Sequence, residues 1–190
     1  MPTAPEQARL FVALELPAEI VAALGAWSRV QLSRHPGLRL ISADSLHVTL
    51  CFLGSRPIGE VGEIATACRD GAGGRGEITL GLGQPVWLPR RRPRVLAVEL
   101  HDTDGSLSAL QSELARTLHD AGAYELDSRP YLGHVTVARV RRPWPRTAPE
   151  LPPAPEPLSF RAGRVTLFES RLGAGPARYE GLETVTLAAD

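Results

Sequence analysis

Two copies of one tripeptide carry the chemistry that this sequence offers. His47-Val48-Thr49 recurs as His134-Val135-Thr136, each inside an apolar, β-rich run, Ser45 to Leu53 (SLHVTLCFL) and Tyr131 to Val140. In a strand, residues i and i+2 share a face. Each copy therefore presents one imidazole beside one hydroxyl, while Val48 and Leu50, or Val135 and Val137, turn into a core. A single His-x-Thr in a strand is ordinary, because Thr favours strands and the chain has 5 histidines. Two identical copies on two strong strands point to a paired site. Imidazoles with a free pKa of ~6.5 can give and take a proton near neutral pH. Two hydroxyls can donate to the oxygens of a tetrahedral anion. An acid, a base and neutral donors around an oxyanion describe phosphodiester cleavage. Two histidines without adjacent carboxylate or cysteine ligands make a poor zinc set, so neither a metal nor another cofactor is expected.

The elements that must position these groups alternate along the chain. Arg9 to Leu16 reads as a buried strand. Pro17 then suits the first turn of a helix to about Ser33, with Ile20, Val21, Leu24, Trp27 and Val30 at helical spacing. Pro36-Gly37 breaks it. After the first motif strand, Gly54 closes the run and a helix is expected over Pro57 to Arg69, followed by a glycine-rich loop, Gly71 to Gly76, that lacks a phosphate-cradling pattern. Strands are expected over Glu77 to Leu82 and Arg94 to His101, a helix from Asp104-Gly105-Ser106 to about Ala121, and then the second motif strand. Residues 141–157 hold seven of the 17 prolines and read as an extended surface connection. Leu158 to Ser170 and Ala177 to Leu187, separated by the turn Gly173-Ala174-Gly175-Pro176, close the chain. Roughly seven strands and three helices result. A strand and a helix precede each motif, so the chain reads as a duplicated strand–helix–strand. The expected fold is α+β, with two pseudo-twofold-related lobes, each an antiparallel-rich sheet with helices packed outside, and a cleft between them. Residues 1–190 form one bilobal domain in this reading.

Composition narrows the function classes. The chain has 190 residues, 43% hydrophobic and 22% charged, the balance of a folded globular protein. Lys+Arg and Asp+Glu are both 21, which argues against binding to nucleic acid by bulk charge alone. All the basic residues are arginine, which excludes Schiff-base chemistry and a P-loop lysine. The N-terminus has no secretory pattern, and no apolar run is long enough to span a membrane. Cys51 and Cys68 fit no CxxC pattern, so a reduced, cytoplasmic location is expected. The remaining histidines, His35, His101 and His119, lie at a helix break, a strand end and a helix C-terminus, and take structural readings.

At the two motifs the sequence resembles the 2H phosphoesterase superfamily, and within it the RNA 2′,3′-cyclic phosphodiesterase (2′-5′ RNA ligase) family. RLFVALELP, SLHVTLCFLG, PRVLAVEL and GHVTVARV carry the resemblance, which spans nearly the whole chain. It implies metal-independent hydrolysis of RNA 2′,3′-cyclic phosphodiester ends to 2′-phosphomonoesters. In the reverse sense it implies joining through a 2′-5′ bond. It implies His47 as proton donor, His134 as proton acceptor, and Thr49, Thr136 and Arg139 as phosphate ligands. Strict alternation would turn Arg139 away from His134, so a bulge or strand-end twist is required. Phe52, at the matching place in the first motif, would stack on a base or pack in the core. The cluster Arg90, Arg91, Arg92 and Arg94 would line the cleft and contact RNA phosphates, or form a solvated loop. The implied partners are RNAs with cyclic phosphate ends, tRNA-like fragments or oligonucleotides, with no membrane and no protein partner. Gly133 stands where relatives commonly have Pro. Two other readings compete: a phosphoesterase for a small cyclic nucleotide or an ADP-ribose cyclic phosphate, and a non-catalytic RNA-end-binding module. A closed, neutral pocket would favour the small molecule, and a wider basic surface polymeric RNA.

Overall fold

Strand–helix alternation often builds parallel sheets, but the named strands of this chain pair antiparallel throughout. The computed structural model describes residues 6–33, 35, 37–141, 150–171 and 178–189. In chain order the elements are β1 (Gln7–Glu15), α1 (Ala18–Leu32), β2 (Leu38–Leu40), β3 (His47–Pro57), α2 (Val61–Ala72), β4 (Ile78–Leu88), β5 (Val95–His101), α3 (Ser106–Asp120), β6 (His134–Val140), β7 (Ser159–Ala162), β8 (Arg164–Arg171) and β9 (Arg178–Thr186). The sheet order is β7-β4-β5-β6-β3-β1-β8-β9, with β2 added beside β6. That order is symmetric about the β6–β3 seam. β5-α3-β6 repeats β1-α1-β3, and each motif strand lies innermost in its half. The helices cross the seam: α1 packs on β6 and α3 on β3.

The core fills the sheet's other face. Leu107, Leu110, Leu114 and Leu118 of α3 are fully buried, each contributing on the order of 1.5–3 kcal/mol of apolar burial. The Asp102 carboxylate accepts the backbone N–H groups of Leu107 and Ser108 at 3.0 and 2.9 Å, which anchors the helix start. In α1 the buried stripe is Ile20, Leu24, Gly25, Ser28 and Leu32. Val30, expected on that stripe, is exposed.

Several expected boundaries move for local reasons. Gly54 does not end β3; it takes a φ of +73° within the strand, where the chain bulges. Gly71 and Ala72 belong to α2 rather than to a loop. A Cβ on Gly71 would lie 2.6 Å from the Thr117 hydroxyl, so this glycine lets α2 approach α3 closely. β4 continues through Pro85 to Leu88, and Tyr131 to Gly133 stay outside β6. The run from Leu158 to Ser170 is two strands, because the chain leaves β4 for β1 at Gly163. With β2 this makes nine strands among the described residues. The segment 150–158 has neither helix nor strand, as its prolines require, while 142–149 and the Gly173–Pro176 turn lie outside the described residues. Both cysteines are free and buried, and burial raises each thiol to about 12. Among the described residues no helix is long and apolar enough to cross a membrane.

Candidate active site

The seam between the halves is one residue pair. Val48 on β3 pairs with Val135 on β6, the central residues of the two tripeptides. Antiparallel pairing is itself twofold, so this register sets His47 opposite Thr136 and Thr49 opposite His134. Both valines are fully buried. The two imidazoles and two hydroxyls therefore emerge together on the opposite face, as alternation predicts.

Both rings are held in the same way. His47 Nδ1 lies 2.9 Å from the Ser45 carbonyl, and His134 Nδ1 lies 2.8 Å from the Leu132 carbonyl. A carbonyl only accepts, so Nδ1 carries the hydrogen in both rings and Nε2 is left to take or give a proton. In the first motif Nε2 also meets Thr49 Oγ1 at 3.1 Å.

The bulge required for Arg139 exists. Between β5 and β6, Ala97 pairs with Thr136 and Leu96 with Ala138, so Val137 is the extra residue. Between β1 and β3, Ala13 pairs with Thr49 and Val12 with Cys51, so Leu50 is extra. Each bulge falls three residues after its histidine and buries two successive residues. The strand parity flips there. Phe52 and Arg139, each five residues after its histidine, thus return to the site face. Phe52 is 50% exposed, so core packing is not its role, and the Arg9 guanidinium lies 4.8 Å from its ring centre.

His47, Thr49, Phe52, Thr136 and Arg139 line a cavity of about 320 Å³. His134 faces the same side of the sheet but lines a second hollow of about 820 Å³, with Tyr131 and Leu132. The seam is thus the ridge where two hollows meet. Tyr131, in the wall of the second hollow, donates its hydroxyl to the Thr49 carbonyl at 3.0 Å. The two histidines differ in surroundings. Phe11 lies 4.9 Å and Tyr179 5.4 Å from the His47 ring, centre to centre. Burial against these rings pushes His47 down to about 4, outweighing the Ser45 carbonyl, with the positive charge of Arg139 and then His134 adding to the depression.

Of the expected arginine cluster, Arg94 lines the second hollow with His134, while Arg90, Arg91 and Arg92 line neither hollow. Arg90 pairs with Glu99 at 3.7 Å, and Glu99 stands directly opposite His134. Glu15 stands opposite His47 in the same way, and is held by Thr166 and by Arg164 at 3.5 Å. Sequence reasoning missed this matched pair, although FVALEL (11–16) and VLAVEL (95–100) repeat visibly. It also missed Arg9, Phe11, Arg39 and Tyr179 in the cavity wall. Arg39 lies on a three-residue strand with no periodic signal.

Residues 16–174 match the family described as the 2′-5′ RNA ligase superfamily. The chain is 30% identical over 186 residues to the RNA 2′,3′-cyclic phosphodiesterase of Escherichia coli (strain K12), covering 94% of this chain and 96% of that one. It is 26% identical to a protein of the same name from Geobacillus stearothermophilus, spanning 96% of this chain and 58% of that one. Among solved structures, a Thermus thermophilus protein superposes with a TM-score of 0.81 at 26% identity, covering 94% of this chain and 97% of that one. E. coli LigT complexed with 3′-AMP superposes with a TM-score of 0.79 at 27% identity, covering 96% and 99%.

Proposed function

The chain belongs to the 2′-5′ RNA ligase superfamily, and from that premise we propose that it hydrolyses the 2′,3′-cyclic phosphodiester ends of RNA to 2′-phosphomonoesters. The single observation that carries the reading is the Val48–Val135 pair, which turns two imidazoles and two hydroxyls toward one seam. The phosphate binds there, with Thr49 and Thr136 donating to its oxygens and the Arg139 guanidinium offsetting its charge. His134 Nε2 takes a proton from water as the water oxygen bonds to phosphorus. The bond from phosphorus to the ribose 3′ oxygen breaks, and His47 Nε2 gives that oxygen its proton. Phe52 stacks on the terminal base. With an RNA 5′-hydroxyl in place of water, the same displacement joins two ends through a 2′-5′ bond.

One observation favours the exchanged assignment. His47, held down to about 4, is unprotonated at neutral pH in the free protein and is the readier acceptor. The bound phosphate anion would have to restore its proton before it could act as donor. The two assignments share the pair and its geometry. None of the groups named requires a metal, so a chelator leaves the rate unchanged. Residues 1–190 act as one bilobal unit descended from a duplicated strand–helix–strand, and the buried free thiols suit a cytoplasmic location.

The test is a short RNA ending in a 2′,3′-cyclic phosphate, with the position of the product phosphate read by mass and by phosphatase sensitivity. A 2′-phosphomonoester is expected. A 3′-phosphomonoester, or an intact cyclic end, contradicts the reading.

A further inference from the structure

Directly opposite Arg139, across β2 and β6, stands Arg39. Both are exposed at the rim of the cavity that His47 lines, with Arg9 in the same wall. Opposed side chains in an antiparallel pair lie about 4.5–5.5 Å apart at Cβ, and like charges placed there repel. Two arginines near the site have carboxylate partners, Arg90 with Glu99 and Arg164 with Glu15, while Arg9 lies over the Phe52 ring. Among the described residues neither Arg39 nor Arg139 makes an ion pair. A like-charge pair without a carboxylate, facing a cavity, is relieved by an anion from outside.

One phosphate does not account for the whole arrangement. The seam already offers the scissile phosphate two hydroxyls, two Nε2 atoms and one guanidinium. A cyclic phosphate carries a single negative charge, so a second guanidinium at the rim is surplus to it. The cavity, about 320 Å³, sits at the small end of ligand pockets, which run from roughly 300 to 1,000 Å³. It suits one nucleotide, and the next charge along an RNA strand falls at its edge.

We propose that Arg39, together with Arg139, forms a second phosphate subsite that takes the phosphate on the 5′ oxygen of the terminal nucleotide. The proposal rests on the phosphodiesterase reading above and names its substrate class: ends that carry a 5′ phosphate, over bare nucleoside 2′,3′-cyclic phosphates. Arg139 reaches both phosphates with its five N–H donors, while Arg39 serves only the second. The same chemistry arises from the internal diester of a strand or from a free 5′ monophosphate.

Three substrates test it: adenosine 2′,3′-cyclic phosphate, its 5′-phosphorylated form, and the dinucleotide ApA ending in a 2′,3′-cyclic phosphate. A charge-assisted phosphate contact corresponds to about a 10- to 100-fold gain, so native kcat/KM should favour the second and third over the first by that factor. Arg39→Ala should bring both ratios close to one, and Arg39→Glu should bring them below one. Ratios taken within each variant cancel any loss of folded protein. An Arg39-dependent advantage confined to the dinucleotide assigns the subsite to a chain diester, and one shared by both assigns it to any 5′ phosphate. Equal native rates on all three, or an advantage that survives Arg39→Ala, overturn the subsite alone. Native protein that cleaves none of them overturns the phosphodiesterase reading instead.

Discussion

β3 and β6 carry the same tripeptide on the same backbone, with the same carbonyl clamp on Nδ1 and the same bulge three residues on, yet their histidines face different neighbours. On the β1–β3 side, Phe11 pairs with Phe52 and Phe168 stacks behind it at 5.3 Å. On the β5–β6 side the corresponding pair is Val95 with Arg139. One half walls its imidazole with rings; the other sets a guanidinium beside the seam. Repetition thus supplies two imidazoles held by the same Nδ1 contact, and divergence of the flanking residues gives them unlike environments. An acid and a base that work together need that difference.

The comparison can be broken most forcefully at the histidines. His47→Ala and His134→Ala should each lower kcat on a cyclic-ended RNA by about 10²- to 10⁴-fold, with unchanged circular dichroism. Because the two act as a unit, the double variant should lose far less than the product of the single losses. Full activity in either single variant removes the pair.

The bulge partners come next. Arg139→Ala should cost roughly 10- to 100-fold in kcat/KM, as expected for a charge-assisted contact. Phe52→Ala should cost about 10-fold through base stacking, and only on substrates that keep a terminal base. Equal losses on an abasic end would deny Phe52 that role and restrict the asymmetry to charge.

The ring wall sets a pH effect of smaller size. In the proposed mechanism the pair is inactive once both histidines are protonated, whichever one is the donor, and His47 accepts its proton only near pH 4. The acid limb of kcat/KM should therefore fall near pH 4. Tyr179→Ser, which opens the wall, should move it upward toward the free value of ~6.5. The stability sign follows. A histidine with its folded pKa depressed binds fewer protons folded than unfolded, so its contribution is complete above ~6.5 and is lost as pH falls toward 4. Thermal melts of His47→Asn should show a shallower acid decline than the native protein. An identical decline would contradict the depressed value.

Gly133 offers the mildest probe. A Cβ there would lie 2.6 Å from Leu107 Cδ2, a fully buried side chain, so any side chain at this position crowds α3. Gly133→Ala should cost about 1–3 kcal/mol as overpacking, measured by urea unfolding, while the same change at Gly62, with open space around it, should cost less.

The parts that were legible in the sequence are those that periodicity carries. Alternation placed the histidines and threonines on one face because Val48 and Val135 need a core. The stripe of α3 was visible because four leucines recur at its spacing. Arg139 could be named only from a resemblance, because a bulge leaves no periodic trace; two adjacent apolar residues, Leu50-Cys51 and Val137-Ala138, were the one hint. β2 escaped because three residues carry no period, and Arg39 went with it. The split at Gly163 escaped because a chain can change partners without changing its local conformation.

The central claim is that His47 and His134 serve one phosphorus atom. The direct measurement is ¹⁵N NMR of histidine-labelled protein titrated with a nucleoside 2′-monophosphate, with ring signals assigned through His47→Asn and His134→Asn. The account predicts that both Nε2 signals move together along one binding curve, while His35, His101 and His119 stay still. Movement of one ring alone, or two curves with different Kd, would contradict it.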